Sequence, residues 1–191
     1  SRVGRGRHEA QVDGRLSKGF HIALWSFIYV IRRALQTSLV VKVRILPGNH
    51  DEDMAAILAE ALAAFFHAEP RVAVDLDQSY WWGLAFGRVF LVGTHGDNIR
   101  SRAAAASLAS FKYRREMANA DHCFLFTGHL HHEKTADTPG WLHVQLRAMT
   151  AADAHAAMSF LTPREVTCWT FDRERGRQDV LHELLPLMET A

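Results

Sequence analysis

Three short segments of this chain combine residue types that could hold a metal ion. They are residues 48–51 (Gly-Asn-His-Asp), 93–97 (Gly-Thr-His-Gly-Asp) and 128–131 (Gly-His-Leu-His). Imidazole and amide oxygen both bind transition-metal ions, and an adjacent glycine lets the backbone turn sharply near an ion. The metal-ligand candidates are therefore Asn49, His95, His129 and His131. In the first segment, His50 could act as an acid and Asp51 could hold its ring in one tautomer.

Each segment also has a simpler structural interpretation when it is taken alone. A His-x-His pair often lies on a surface without any function. Asn-His-Asp is typical of a turn that caps the following helix. Asp97 is better explained as the cap of a helix that begins near residue 99 than as a ligand. The occurrence of all three segments in one chain, each directly after an apolar run, is what favours a shared site.

The elements that would position these segments follow from the pattern of apolar residues. The apolar runs that precede the segments predict strands, so each segment falls at the carboxyl end of a strand. The pattern predicts helices over 16–36, 52–67, 99–119 and 151–159, strands over 39–46, 71–74, 79–85, 88–92, 122–126, 141–147, 166–171 and 178–184, and a polar turn over 134–140. Alternating strands and helices indicate a layered α/β sandwich with helices outside, forming one domain over residues 1–191.

Composition excludes several functional classes. The 191 residues are 48% apolar and 23% charged, with a net charge of +1, so no global charge attracts nucleic acid or a membrane. The longest apolar run, residues 22–31, is shorter than the roughly 20 residues that span a bilayer. Cys123 and Cys168 lie in apolar runs and are predicted to be buried free thiols, which favours a reducing compartment and a cytoplasmic location.

The three segments, in this order and spacing, resemble the calcineurin-like metallophosphoesterase family. Residues 46–51 resemble its Gly-Asn-His-Asp/Glu motif, residues 93–96 its single-histidine motif, and residues 128–131 its closing Gly-His-x-His motif. The resemblance covers about residues 39–132. It implies a metallophosphoesterase-like β-sandwich flanked by helices. Residues 12–15 and 159–166 suggest a bacteriophage-encoded branch of the family.

The resemblance implies a role for each site residue. Asn49, His95 and His129 would bind one divalent ion, and His131 would bind a second. His50 would protonate the leaving group or stabilise the transition state, while Asp51 orients it. Two such ions lie about 3.5–4 Å apart and activate a bridging water, with Mn, Fe, Zn or Ni as candidates. The implied substrate is a phosphomonoester or phosphodiester, with nucleotides and nucleic acid among the candidates.

The family's carboxylate motifs, Asp-x-His and Gly-Asp-x-x-Asp/His, do not occur before Leu46. We therefore expect an N-terminally truncated fold that carries part of a dinuclear site, binds at most one ion well and has low or no activity. An exposed sheet edge would favour oligomers. Two alternatives remain open. One is a catalytically inactive binding or regulatory module that keeps the fold and at most one metal, and the other is a mononuclear metal-binding protein without a reaction.

Overall fold

In a computed structural model of the chain, residues 16–49, 51–97, 99–149 and 164–184 are described. The chain divides into two compact units, Ser1–Tyr80 and Trp81–Ala191. The expectation of a single domain stays a prediction. The helix expected over residues 151–159 and the catalytic candidate His50 lie outside the described residues.

The first unit is built around one parallel pair of strands. Its elements are α1 (Leu16–Ala34), β1 (Val41–Arg44), α2 (Glu52–Phe65) and β2 (Val72–Asp75). Strands β1 and β2 run parallel, with α2 between them in the chain. The apolar faces of both helices close over β1, and the buried residues are Ile28, Ile31, Val43, Leu58, Leu62 and Phe66. This packing leaves the segment 48–51 in the connection from β1 to α2.

The second unit contains a five-stranded mixed sheet. Its first elements are β3 (Trp81–Phe86), β4 (Val89–Thr94), α3 (Arg102–Lys112), α4 (Arg114–Met117), β5 (His122–Thr127), β6 (Lys134–Thr138) and β7 (Trp141–Gln145). The strand order is β3-β4-β5-β7-β6. The inner strands β4, β5 and β7 are parallel, and each edge strand pairs antiparallel with its neighbour. The predicted α/β organisation, with a central sheet and packed helices, is confirmed.

One face of this sheet packs on α3. Because successive side chains alternate across a strand, Phe90, Val92 and Leu125 share this face, where they are buried. Ala105 and Ala109 bring the helix close to the sheet, because their side chains are small. The result is a well-packed helix layer that holds the start of α3 against the carboxyl ends of the strands.

The other face of the sheet packs on a hairpin, β8 (Glu165–Asp172) and β9 (Gly176–Leu184). The ring centroids of Phe124 and Phe171 are 4.9 Å apart, and those of Phe126 and Trp169 are 5.2 Å apart. Both are edge contacts of the kind that aromatic rings favour. Helix, sheet and hairpin therefore form three layers, and the two sheets make the sandwich.

The prediction of a polar turn over residues 134–140 is wrong for most of those residues. Lys134–Thr138 forms the edge strand β6, which pairs with β7 from Lys134 opposite Gln145 to Thr138 opposite Trp141. Only Pro139 and Gly140 turn, with φ of +80° at the glycine. An edge strand needs only one hydrogen-bonded neighbour, so a polar sequence with little hydrophobic patterning can still form one.

Two smaller expectations also change. The helix expected over residues 99–119 is two helices, because the chain turns at Tyr113 between α3 and α4. Cys123 is half-buried and Cys168 is exposed, so the prediction of a buried thiol is wrong for Cys168 and holds only in part for Cys123. Among the described residues, no helix is both long and apolar enough to cross a membrane.

Candidate functional site

Parallel strand pairing brings two of the predicted segments side by side in the second unit. Thr94 at the end of β4 lies opposite Thr127 at the end of β5. His95 and Gly128 follow these threonines, and the Gly128 amide donates a 3.0 Å hydrogen bond to the His95 carbonyl. The imidazoles of His95 and His129 lie with their ring centroids 5.2 Å apart and their planes at 70°.

The backbone of the His-x-His segment adopts an unusual conformation. His129 has φ of +67° and His131 has φ of +56°, the left-handed region that residues other than glycine rarely enter. Leu130 donates its amide to the Gly128 carbonyl at 2.9 Å, which tightens the turn. Each such residue costs about 1–3 kcal/mol, and such residues concentrate at functional sites.

The spacing of His95 and His129 fits coordination of one metal ion. With metal–nitrogen bonds of about 2.0–2.1 Å, two imidazoles on one tetrahedral ion have centroids roughly 5 Å apart. The same distance also fits an edge-to-face ring contact without a metal. In the described part of the second unit, no other histidine, cysteine or carboxylate joins this pair with ligand atoms all within 4.8 Å. His131 is half-buried nearby in sequence but does not complete such a trio.

The first unit holds the other described candidates, Asn49 and Asp51. Asn49 is half-buried in the turn after β1. The Asp51 carboxylate accepts a 2.8 Å hydrogen bond from the Gly48 amide, and Asp51 occupies the N-cap position of α2 without a capping side-chain bond. The Asp51 carboxylate is therefore bound by the backbone amide of Gly48, three residues earlier in the chain. Whether it also orients His50 stays a prediction.

The expected cap role of Asp97 is wrong. Helix α3 begins one turn later than expected, and the hydroxyl of Ser101 accepts a 3.2 Å hydrogen bond from the Ala104 amide. Serine is among the strongest N-cap residues, and here it satisfies one of the amides that a helix start leaves without an intrahelical partner. The connection from β4 to α3 is therefore longer than the sequence pattern indicated.

Sequence reasoning missed a second cluster of ionisable side chains in this unit. Among the described residues, Glu133, Glu165 and His182 are the one trio of potential metal ligands whose atoms all lie within 4.8 Å of one another. The Glu165 carboxylate is only 2% exposed and pairs with Arg147 at 2.6 Å. Thr167 donates to it at 3.0 Å, and the His182 ring is also in contact. No motif signals this cluster, since its members lie in separate parts of the chain.

Local contacts keep Glu165 ionised. Burial raises the pKa of its carboxyl, but hydrogen bonds from His182 and Thr167, with the charge of Arg147, outweigh burial and hold the pKa below its ordinary value. Arg147 also approaches Glu133 at 3.5 Å. A guanidinium already neutralises two of the three candidate ligands, so this cluster is better explained as an ion-pair network than as a metal site.

Comparisons with known proteins give a likeness in structure but not in sequence family. No family model matches the sequence, and no curated protein matches it either. Among solved structures, the chain is similar to a single mutant of Vps29 from Entamoeba histolytica. The two share 15% identity, with a TM-score of 0.44 over 95% of this chain and 94% of that one. At that level the likeness assigns no function to this chain, and its own residues must carry the functional argument.

Proposed function

We propose that this protein is a metal-dependent phosphoesterase in which His95 and His129 bind one divalent ion together. The observation that carries the proposal is the approach of these two imidazoles, 5.2 Å between centroids, at the carboxyl ends of adjacent parallel strands. Ligand sites in open α/β sheets commonly form at that end.

The backbone conformation supports the proposal independently. Left-handed φ values at His129 and His131 place strain within three residues of a tight turn. A loop with only a structural role could avoid that cost with glycine or asparagine at those positions. We propose that the imidazoles at these two positions serve a metal site, with His131 as the ligand of a second ion.

The remaining roles are proposed on the resemblance of the motifs. Asn49 would add an amide oxygen to the ion held by His95 and His129. His50 would protonate the leaving group, with Asp51 orienting it. A bound Mn, Fe, Zn or Ni ion would supply an activated water and neutralise charge on a phosphomonoester or phosphodiester. The donors present, imidazole nitrogens and an amide oxygen, suit these ions.

Alanine substitution at the histidine pair tests the proposal. We expect His95→Ala and His129→Ala to weaken Mn²⁺ binding at least about tenfold in isothermal titration, and to remove turnover of bis(4-nitrophenyl) phosphate. His67→Ala is the matched control, because His67 is exposed after α2 and its ring bonds the Ala64 carbonyl. Unchanged metal affinity in both site variants, with full turnover, would overturn the proposal.

One observation favours a second candidate, a binding module without catalysis. Within the described second unit, no third histidine, cysteine or carboxylate completes the His95–His129 pair. A site with so few anionic ligands would leave a divalent charge poorly neutralised. A wild-type protein that is folded, binds no Mn²⁺ and shows no phosphodiester turnover would support this candidate over the enzyme.

A further inference from the structure

A cavity of about 250 Å³ opens beside the two histidine segments in the second unit. Gly96 and Gly128, the residues after His95 and before His129, form part of its wall. The start of α3 forms another part, and the ends of β5 and β7 form the floor. Since one water takes up roughly 30 Å³ in the liquid, the space accommodates a polyatomic group.

The charge of this cavity is positive. Arg100 and Arg102 line it, and among the described lining residues there is no carboxylate. The amino end of α3 faces it through Ser101, and the first turn of that helix contains no acidic residue. Helix amino ends carry partial positive charge and present amide donors, so they favour anions. Both arginines and the amino end of the helix therefore favour an anion in the cavity.

Buried polar atoms in the wall have no protein partner. His143 lines the cavity and is 3% exposed, and its Nε2 lies 2.9 Å from the Thr127 hydroxyl oxygen. Among the described residues, His143 Nδ1 and Arg102 Nε are both buried without a hydrogen-bond partner. Buried polar groups are nearly always satisfied, so such atoms point to a ligand or water. Burial, and then the charge of Arg102, lowers the pKa of His143.

We propose that this cavity binds a phosphoryl group of the substrate that lies next to the scissile one. The inference rests on the proposed phosphoesterase function. Glycines beside His95 and His129 line the cavity, whereas those imidazoles are not among its described lining residues. A group held here is thus beside the proposed metal ligands rather than on them.

The hydrogen-bond donors that line the cavity are of the kind that bind a phosphoryl group. Guanidinium groups bind phosphate oxygens through paired donors, and the helix amides add further donors. With the proton on Nδ1, His143 donates as well, while the Thr127 hydroxyl donates to Nε2. The substrate class is therefore a compound with at least two neighbouring phosphates, which a phosphoanhydride and a 5′-phosphorylated oligonucleotide both provide.

Inorganic phosphate in metal-free buffer tests the cavity directly. We expect wild-type protein in chelator to bind phosphate in isothermal titration, and Arg102→Gln and Arg100→Gln each to weaken binding at least fivefold. Arg115→Gln, on the exposed surface of α4, is the matched control and should bind as wild type does. Circular dichroism verifies the fold of each variant. Absent binding in wild type, or binding that neither cavity variant changes, overturns the inference.

Two further experiments distinguish failure of the anion site from failure of the proposed phosphoesterase function. His129→Ala should lose Mn²⁺ yet keep its affinity for phosphate in chelator. Phosphate binding without any metal binding would refute the phosphoesterase and leave the anion site standing. In an active wild type, Arg102→Gln should raise KM for pyrophosphate or for a 5′-phosphorylated dinucleotide, and the affected substrate identifies the source. Equal KM changes for these and for bis(4-nitrophenyl) phosphate, which has one phosphate, overturn the assignment of a second phosphate.

Discussion

Replacing Arg147 with methionine should destabilise the second unit, because it leaves a buried carboxylate without its countercharge. The Glu165 side chain is 2% exposed, and its closest charged partner among the arginines is Arg147, at 2.6 Å. Methionine keeps part of the length of the arginine stem but removes the charge. Glu165 is the first residue of β8, in the layer that packs on the central sheet, and its carboxylate is therefore held away from solvent.

The size of the expected loss in stability depends on the contacts that the Glu165 carboxylate keeps when Arg147 is replaced. Removing one partner of a buried ion pair costs about 3–5 kcal/mol when the remaining charge is uncompensated. Here Thr167 and His182 still contact the carboxylate. A single hydrogen bond to a charged group is worth about 1.5–3 kcal/mol, so we expect a loss of about 2–3 kcal/mol in the free energy of unfolding.

Urea unfolding followed by circular dichroism measures this loss, with the urea dependence compared across variants. Arg173→Met is the matched control, because its ion pair with Glu174 is exposed on both sides and should contribute little. In a Glu165→Gln background, Arg147→Met should cost much less. The reasoning is refuted if Arg147→Met is no more destabilising than the control, or if its cost is the same in both backgrounds.

Four other outcomes follow from the structure. Gly87→Ala should cost more than about 2 kcal/mol in urea unfolding, because φ is +59° and the added methyl would lie 2.3 Å from the Arg173 carbonyl oxygen. Gly19→Ala, in open space on α1, should instead stabilise by about 0.5–1 kcal/mol, and a loss there would contradict the helix assignment. The pKa of His143 is lowered chiefly by burial, so the unfolded state takes up a proton at this residue before the folded state does as the pH falls below about 6.5. The urea midpoint of unfolding should therefore decrease below that pH, and the decrease should be smaller in His143→Gln. The pKa of Glu165 is also lowered, so its stabilisation is full above pH of about 4.3 and is lost as the pH falls through the folded-state pKa; a midpoint that does not change between about pH 5 and about pH 3 would count against this.

Several features could be predicted from sequence because their signals are local. The β-branched residues Val89 and Val92 indicate a strand, and glycine follows at residue 93. That pattern places His95 just after a strand end without reference to any other part of the chain. The strand before Gly128 is predicted from the short apolar and aromatic run at residues 122–126. Once both strands are parallel, their carboxyl ends meet at one edge of the sheet.

Other features lacked any local signal. Strand β6 is polar, and it forms because β7 offers a hydrogen-bonding edge. Glu165 and Arg147 are 18 residues apart, and neither periodicity nor a motif indicates that they pair. His143 follows an ordinary strand alternation, and its burial becomes evident only when α3 covers that face. The first feature depends on hydrogen bonding to a neighbouring strand, and the other two depend on loss of solvent when other elements pack over the side chains.

By itself, the sequence determined the residue types that could do chemistry and the strand ends on which they lie. It did so because backbone propensity and apolar alternation act over a few neighbouring residues. Only the tertiary structure decided that His95 meets His129, that Glu165 is buried against Arg147, and that an arginine-lined cavity opens beside both histidine segments. Those outcomes depend on strand register and on which faces lose water, and packing sets both.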